Sequence, residues 1–281
     1  MVSEEELTSN PFLLEWHRKA TGAMERGELL RAESVVDVLG EKEYYALALL
    51  RGEIKGEYNR EAFAGQVHDA LAVFWTDEMV EAATQIEIPR HTVAPDACPI
   101  SPMWWSFPSV LTTIGADGGV VRSYDALLIH DHGEVIEVDA FYSEGGGMAA
   151  ARLCEIRHRE VFPKEDSPPE NFILAMLTFM QSPLLTEVQK RHLNRADRRR
   201  VQPEYQSGEV SYVTLRRRHY QGESAGSGGE EHGYNVRWIV SGHLRAQWYP
   251  SLQAHKLIWI APYVKGPDSA PLKKTVYKVV R

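Results

Sequence analysis

Cysteine is nearly absent from this sequence: Cys98 and Cys154 are the only two in 281 residues. They stand far apart and match no paired-cysteine spacing, which argues against a disulfide-stapled scaffold, a zinc ribbon or a dithiol redox site. Two buried, reduced thiols in a cytoplasmic protein are the expectation. No apolar run approaches the ~20 residues that cross a bilayer, so no membrane partner is expected. The opening Met1-Val2-Ser3-Glu4-Glu5-Glu6 is acidic and lacks the basic-then-apolar layout of a signal peptide. Gly145-Gly146-Gly147 has neither a following Lys-Ser/Thr nor Gly-x-Gly-x-x-Gly spacing, so it reads as a loop rather than a phosphate cradle. Helix-turn-helix, zinc-finger and RNP sequences are missing too, which leaves sequence-specific reading of nucleic acid unsupported. No cofactor and no metal are expected.

What is present is apolar mass and an uneven charge. Hydrophobic residues make up 43% of the chain and seven are Trp, enough to bury real cores. The length fits about two domains on the usual size prior. The net charge of −8 conceals a split. From Lys190 onward there are 17 Lys and Arg against 7 Asp and Glu; residues 1–189 hold 14 against 32. The balances of −18 and +10 suggest a polyanion-binding part beside an acidic part.

The periodicity predicts an α+β protein. Residues 1–85 read as helical, with capping residues at Thr8-Ser9-Asn10-Pro11. Helices are expected near 28–39, stopped by Gly40, and over 41–54. A fourth follows Asn59 and carries Phe63, Val67, Leu71, Phe74 and Trp75. His17 and His68 read as helix-surface or packed residues. Residues 86–189 are mixed. Prolines 89, 95, 99 and 102 break helices, and strands are expected at 109–113, 120–129 and 134–142. The last two are joined by a turn at His130-Asp131-His132-Gly133. Helices are expected at 148–161 and 170–181, the latter with an apolar stripe of Phe172, Ile173, Met176, Phe179 and Met180. Residues 190–207, with Asn194 to Arg200, read as a basic helix or linker. A small basic antiparallel sheet domain over 208–281 then has strands at 210–218, 234–249, 256–264 and 275–281.

Arg237 to Tyr249 is the most informative of these strands. Its alternation predicts Trp238 and Trp248 in a core, with His243, Arg245, Gln247 and Tyr249 at ~6–7 Å intervals on the other face. His255 and Lys256 are expected to return to the same end. Histidine titrates near neutrality and suits general acid–base work, and an arginine fork suits a phosphate. Metal-independent RNA cleavage requires little more, because the 2′-hydroxyl is itself the nucleophile. His243 would be the acid or base and Arg245 the phosphate stabiliser. Gln247, Tyr249 and Lys256 would position the substrate. An ordinary solvent-facing strand gives the same alternation.

A second set, Arg198, Arg199, Arg200, Arg216, Arg217, Arg218, Lys273 and Lys274 (with Lys278), suits backbone contacts to nucleic acid. Tyr212, Trp238, Trp248, Trp259 and Tyr263 add the option of base stacking. A third set, Asp125, His130, His132, Glu137 and Asp139, has ligand-like types. Its turn chemistry and the lack of a nearby lysine argue against both a metal centre and a nuclease-type acidic motif.

Three segments carry a resemblance. They are Arg195-Ala196-Asp197-Arg198-Arg199-Arg200, Ser241-Gly242-His243-Leu244-Arg245-Ala246-Gln247-Trp248-Tyr249-Pro250-Ser251-Leu252, and Ile258-Trp259-Ile260-Ala261-Pro262-Tyr263-Val264-Lys265-Gly266-Pro267. Together with Val213 to Arg217 they resemble a group of uncharacterised proteins from actinobacteria, their plasmids and their phages. The resemblance covers the final third of the chain and implies a cytoplasmic, mobile-element context, with no activity attached.

The leading expectation is a phage- or mobile-element-type protein whose C-terminal domain binds RNA and cleaves it without metal, as a toxin-like endoribonuclease. The alternative is a non-enzymatic protein that binds nucleic acid, a host protein or a cognate regulatory protein. That alternative includes an inhibitor whose acidic residues 1–189 mimic nucleic acid.

Overall fold

A computed structural model describes residues 2–26, 32–85, 88, 92–95, 98, 100–114, 120–144, 147–162, 168–181, 186–215, 238–240, 243–251, 253–260 and 263–265. The chain begins with α1 (Glu4–Thr8), α2 (Pro11–Glu25), α3 (Val35–Arg51), β1 (Ile54–Lys55), α4 (Arg60–Asp69), β2 (Leu71–Trp75) and α5 (Asp77–Gln85). It continues through β3 (Thr92–Val93), β4 (Met103–Ile114), β5 (Val120–Asp131), β6 (Val135–Glu144), β7 (Gly147–Arg157), β8 (Val161–Phe162) and α6 (Pro168–Met180). Then come β9 (Thr186–His192), α7 (Arg195–Arg198), β10 (Glu209–Leu215), β11 (Trp238–Val240), β12 (His243–Tyr249), β13 (Ala254–Ile260) and β14 (Tyr263–Lys265). The fold is α+β.

Eight strands form one mixed sheet in the order β1-β7-β6-β5-β4-β2-β10-β9. Its centre is the antiparallel run β4 to β7, and β2 joins β4 and β10 in parallel. One face packs α5 and α6 over Trp75, Trp105, Leu127, Ile136 and Ile156. The other packs α1 to α4 over Trp104, Leu128, Phe141, Phe74 and Tyr212. The sheet is therefore sandwiched between two helical layers, which is how a sheet with apolar residues on both faces is buried.

Several expectations change. Leu71–Trp75 is a strand, although its apolar residues continue the helical spacing from Phe63. Helix α4 ends at Asp69, and the run Leu-Ala-Val-Phe-Trp alternates between the two cores, with Val73 and Trp75 on one side and Ala72 and Phe74 on the other. A parallel strand covered on both faces reads as a continuous apolar run, and here that run was long enough to imitate a helix stripe. Residues 147–157 likewise form β7, not a helix. Their alanines favour a helix in isolation, but pairing with β6 along their whole length, from Glu144↔Gly147 to Val135↔Arg157 with one bulge at Leu153, overrides that propensity. Thr186–His192, at the expected start of the basic segment, is strand β9, and β10 lies between it and β2. The sheet thus runs on across the boundary expected at 190–207.

Gly40 does not stop a helix. It lies inside α3, where a Cβ would come within 2.5 Å of both Phe12 O and Trp16 Cβ. The missing side chain lets α2 and α3 cross closely, and α3 ends at Gly52, whose φ of 69° is the left-handed cap that glycine adopts freely. Gly40→Ala is expected to lower stability by about 1–3 kcal/mol in chemical denaturation, the usual range for overpacking a fixed contact. A loss of only a few tenths would mean that the two helices separate freely.

Helix α3 also buries charge. The Asp37 side chain closes a capping box with Ser34 and meets Lys19 Nζ at 2.5 Å. Lys42 donates to the carbonyls of His68 and Ala70, and Glu43 meets His68 Nδ1 at 2.7 Å, tying α3 to the end of α4. The hydrogen bond to Glu43 raises the pKa of His68, so this histidine is a paired residue. Glu41 accepts from Ser106 Oγ and from Trp104 Nε1 (3.3 Å) beneath the helix. Burial pushes its carboxyl up to about 7, and nearby Asp125 adds to the rise.

Candidate nucleic-acid interface

The expected polar strand is divided. Trp238 falls in β11, which pairs with β14, whereas His243 to Tyr249 form β12, which pairs with β13. The two tryptophans therefore belong to different two-stranded ladders, and Trp248 is 45% exposed rather than buried in a core. In the β12–β13 register His243 stands opposite Ile260, Arg245 opposite Ile258, Gln247 opposite Lys256 and Tyr249 opposite Ala254. Directly opposed residues share a face of an antiparallel pair, so Lys256 takes a position among the expected site residues. Two isoleucine positions share that face, which is less polar than the β12 sequence alone implies. His255 takes the other face, opposite Trp248, with ring centroids 5.0 Å apart. Arg245 and Tyr249 are exposed, and Gln247 donates from its amide to the Trp248 carbonyl at 3.2 Å. The side chains of His243 and Lys256, and that of Trp259, lie outside the described part of the structure.

The second expected set is better placed. Strand β9 is an edge of the large sheet, and every residue from Glu187 to His192 is exposed. It leads through buried Leu193 into α7, capped by Asn194, whose side chain accepts from Asp197 N. Lys190, Arg191, His192, Arg195, Arg198, Arg199 and Arg200 are thus gathered on one edge. Lys190 is neutralised by Glu209 at 2.6 Å, and Arg191 lies over the Tyr212 ring at 4.0 Å. Tyr212 is buried under α2 and α3, so its ring is part of the core and is not offered for base stacking. Arg195, Arg198 and Arg199 are exposed and have no acidic partner among the described residues. Arg216, Arg217, Arg218, Lys273, Lys274 and Lys278 lie outside the described residues, and Tyr263 is described by its backbone alone.

Beside α7 a groove of ≈ 300 Å³ opens against α2. Phe12, Leu14, Val36 and Val201 give it an apolar lining. Its charged members come in both signs, Glu15 and Asp197 against Arg18 and Arg200. Glu15 pairs with Arg18 and lies 3.9 Å from Arg200. No sequence pattern announced this groove, because its walls are nearly two hundred residues apart in the chain.

The third set gathers around a residue that the sequence reading passed over. Arg152, on β7, stands directly opposite Asp139 and reaches Asp139, Glu137 and Glu155 at 2.8, 2.7 and 2.7 Å. Its guanidinium holds the charge that a cation would supply, and among the described residues no group of three or more His, Cys, Asp or Glu side chains is placed to hold a metal ion. Burial raises Glu137, but Arg152 and His132 outweigh it and hold the carboxyl below its usual range. At the deeper Asp139 burial wins, and its carboxyl sits above the usual range. The rings of His130 and His132 lie 4.1 Å apart at a tilt of 35°, and burial first, then the neighbouring ring, lowers His130. Asp131 closes the β5–β6 turn by accepting from Gly133 N at 2.8 Å. Asp125 belongs elsewhere, accepting from Tyr45 at 3.1 Å beneath α3. Strand periodicity across 147–157 would have placed Arg152 opposite the acidic pair; the helical reading hid it.

Burial raises the Cys98 thiol to about 12, with Asp131 adding to the rise, which disfavours the thiolate form. None of the helices among the described residues is long and apolar enough to cross a membrane.

No family model matches the chain, and no curated protein matches its sequence. Among solved structures, the crystal structure of AcrVA2 aligns over 88% of this chain and 92% of its own, at 11% identity and a TM-score of 0.39. A likeness at that level assigns neither fold nor function.

Proposed function

We propose that this chain binds nucleic acid, RNA foremost, by gripping the phosphate backbone along β9 and α7. The observation that supports it is the trio Arg195, Arg198 and Arg199, exposed on a basic edge with no acidic partner among the described residues. Solvated arginines grouped on a fixed element form the electrostatic footprint that polyanions recognise, through counterion release and without base reading. The resemblance of the C-terminal third supports a cytoplasmic, mobile-element context and attaches no activity to it. A short single-stranded RNA should be retained by the wild type in a filter-binding titration and released by Arg195→Glu/Arg198→Glu/Arg199→Glu. Equal retention by both proteins would remove the basis of the reading.

Metal-independent cleavage is a second reading, supported by the register that sets Lys256 opposite Gln247 beside Arg245 and Tyr249. It predicts fragments from total RNA in the presence of EDTA, abolished by His243→Ala with binding retained. Intact RNA under the same conditions would leave binding alone. The acidic-mimic alternative has less support. Residues 1–189 would lack β10, which lies between β2 and β9 in the sheet.

A further inference from the structure

We infer that the groove between α2 and α7 receives one unpaired base of the bound strand. The inference rests on the nucleic-acid reading and goes beyond it, because it gives a phosphate-binding edge a means of discriminating bases. Helix α7 joins the two features. Arg195 and Arg198 belong to it and Arg199 caps it, while Asp197 and the adjoining Arg200 and Val201 line the groove. A strand gripped by those arginines therefore passes its mouth.

The size and chemistry of the groove select the occupant. A volume of ≈ 300 Å³ lies at the small end of ligand sites, suited to one planar ring system rather than a helix or an extended peptide. Leu14, one of the apolar lining residues, is left 56% exposed, an apolar surface awaiting cover. The charged lining residues offer both hydrogen-bonding senses: Glu15 and Asp197 only accept, Arg18 and Arg200 only donate. A base edge presents donors and acceptors side by side and can answer both. A phosphate presents acceptors alone and would be repelled by the two carboxylates. An apolar ligand would leave the four charged side chains with only one another and Asn194 as partners. Acceptor-only carboxylates also favour bases with an exocyclic amino group, so cytosine, adenine and guanine should be preferred to uracil.

The test uses the full chain with oligo(C), oligo(A) and oligo(U) RNA of equal length. Oligo(C) or oligo(A) should bind on the order of tenfold tighter than oligo(U), the span of one well-formed base contact. Glu15→Gln/Asp197→Asn should bring the three affinities together while leaving their salt dependence unchanged, since the phosphate contacts remain. A second measurement does not depend on that variant folding. Cytidine monophosphate added to the wild type should shift the methyl resonances of Leu14 and Val201 more than uridine monophosphate does. Equal affinities in the wild type, discrimination that survives the double substitution, or methyl signals indifferent to both nucleotides would overturn the inference while leaving backbone binding intact. Failure to bind any oligonucleotide would instead remove the nucleic-acid reading, and the inference with it.

Discussion

Glu41→Gln is expected to make the protein more stable at pH 8 by roughly 2–4 kcal/mol while leaving its stability near pH 4 almost unchanged. The reasoning starts from position. Glu41 is 7% exposed on the buried side of α3, accepting from Ser106 and Trp104, with Asp125 nearby. Burial raises its carboxyl from 4.5 to about 7. Between those values the folded chain holds a proton that the unfolded chain has released. Stability from this group is therefore complete below about 4.5 and is lost as pH rises through 7. Glutamine keeps an acceptor oxygen for Ser106 and Trp104 and never ionises, so it escapes that loss. Urea unfolding of both proteins from pH 4 to pH 8 gives the difference directly. A difference that does not change with pH would show that Glu41 ionises as if solvated.

The triple reversal Arg195→Glu/Arg198→Glu/Arg199→Glu is expected to weaken RNA binding on the order of 100-fold at low salt, by a smaller factor at higher salt, and for every sequence alike. A contact to a single-stranded phosphate contributes about 0.7 to the slope of log affinity against log salt, so losing three should flatten that slope by about 2. The change falls on exposed side chains of a four-residue helix and its C-cap, so folding should not suffer. The same slope with lower affinity would point to a misfolded fraction. A flatter slope identifies the arginines as phosphate contacts.

The elements that could be read from the sequence are those whose pattern answers to a single neighbour. Strands β5 and β6 and their Asp-His-Gly turn declare themselves because turn chemistry and alternation agree. Helix α6 does so because Phe172, Ile173 and Met176 make an apolar stripe. Elements that answer to two neighbours carry no such pattern. Leu71–Trp75 serves two cores and so shows no alternation. Gly40 serves the α2–α3 crossing, a contact invisible along the chain. Strand β9, with only Thr186 buried, shows no apolar face at all, and its strand state comes from pairing with β10.

The site divides along the same line. Arg198 to Arg200 stand out by composition alone. That Arg195 joins them, that Lys190 is neutralised, and that α7 closes a groove against α2 all depend on the fold. The β12 alternation was legible, but its partner residues were not. Alternation cannot say that Ile258 and Ile260 share the polar face, nor that Trp248 is left exposed.

The central claim is that a basic edge on an otherwise acidic protein grips RNA through phosphates. The most direct measurement is the affinity of the wild-type chain for a single-stranded RNA between 50 and 200 mM salt. A linear log–log decline with a slope of about −2 or steeper, matching at least three phosphate contacts, is the expected result. Binding that is undetectable at low salt, or that does not change across the range, would contradict it.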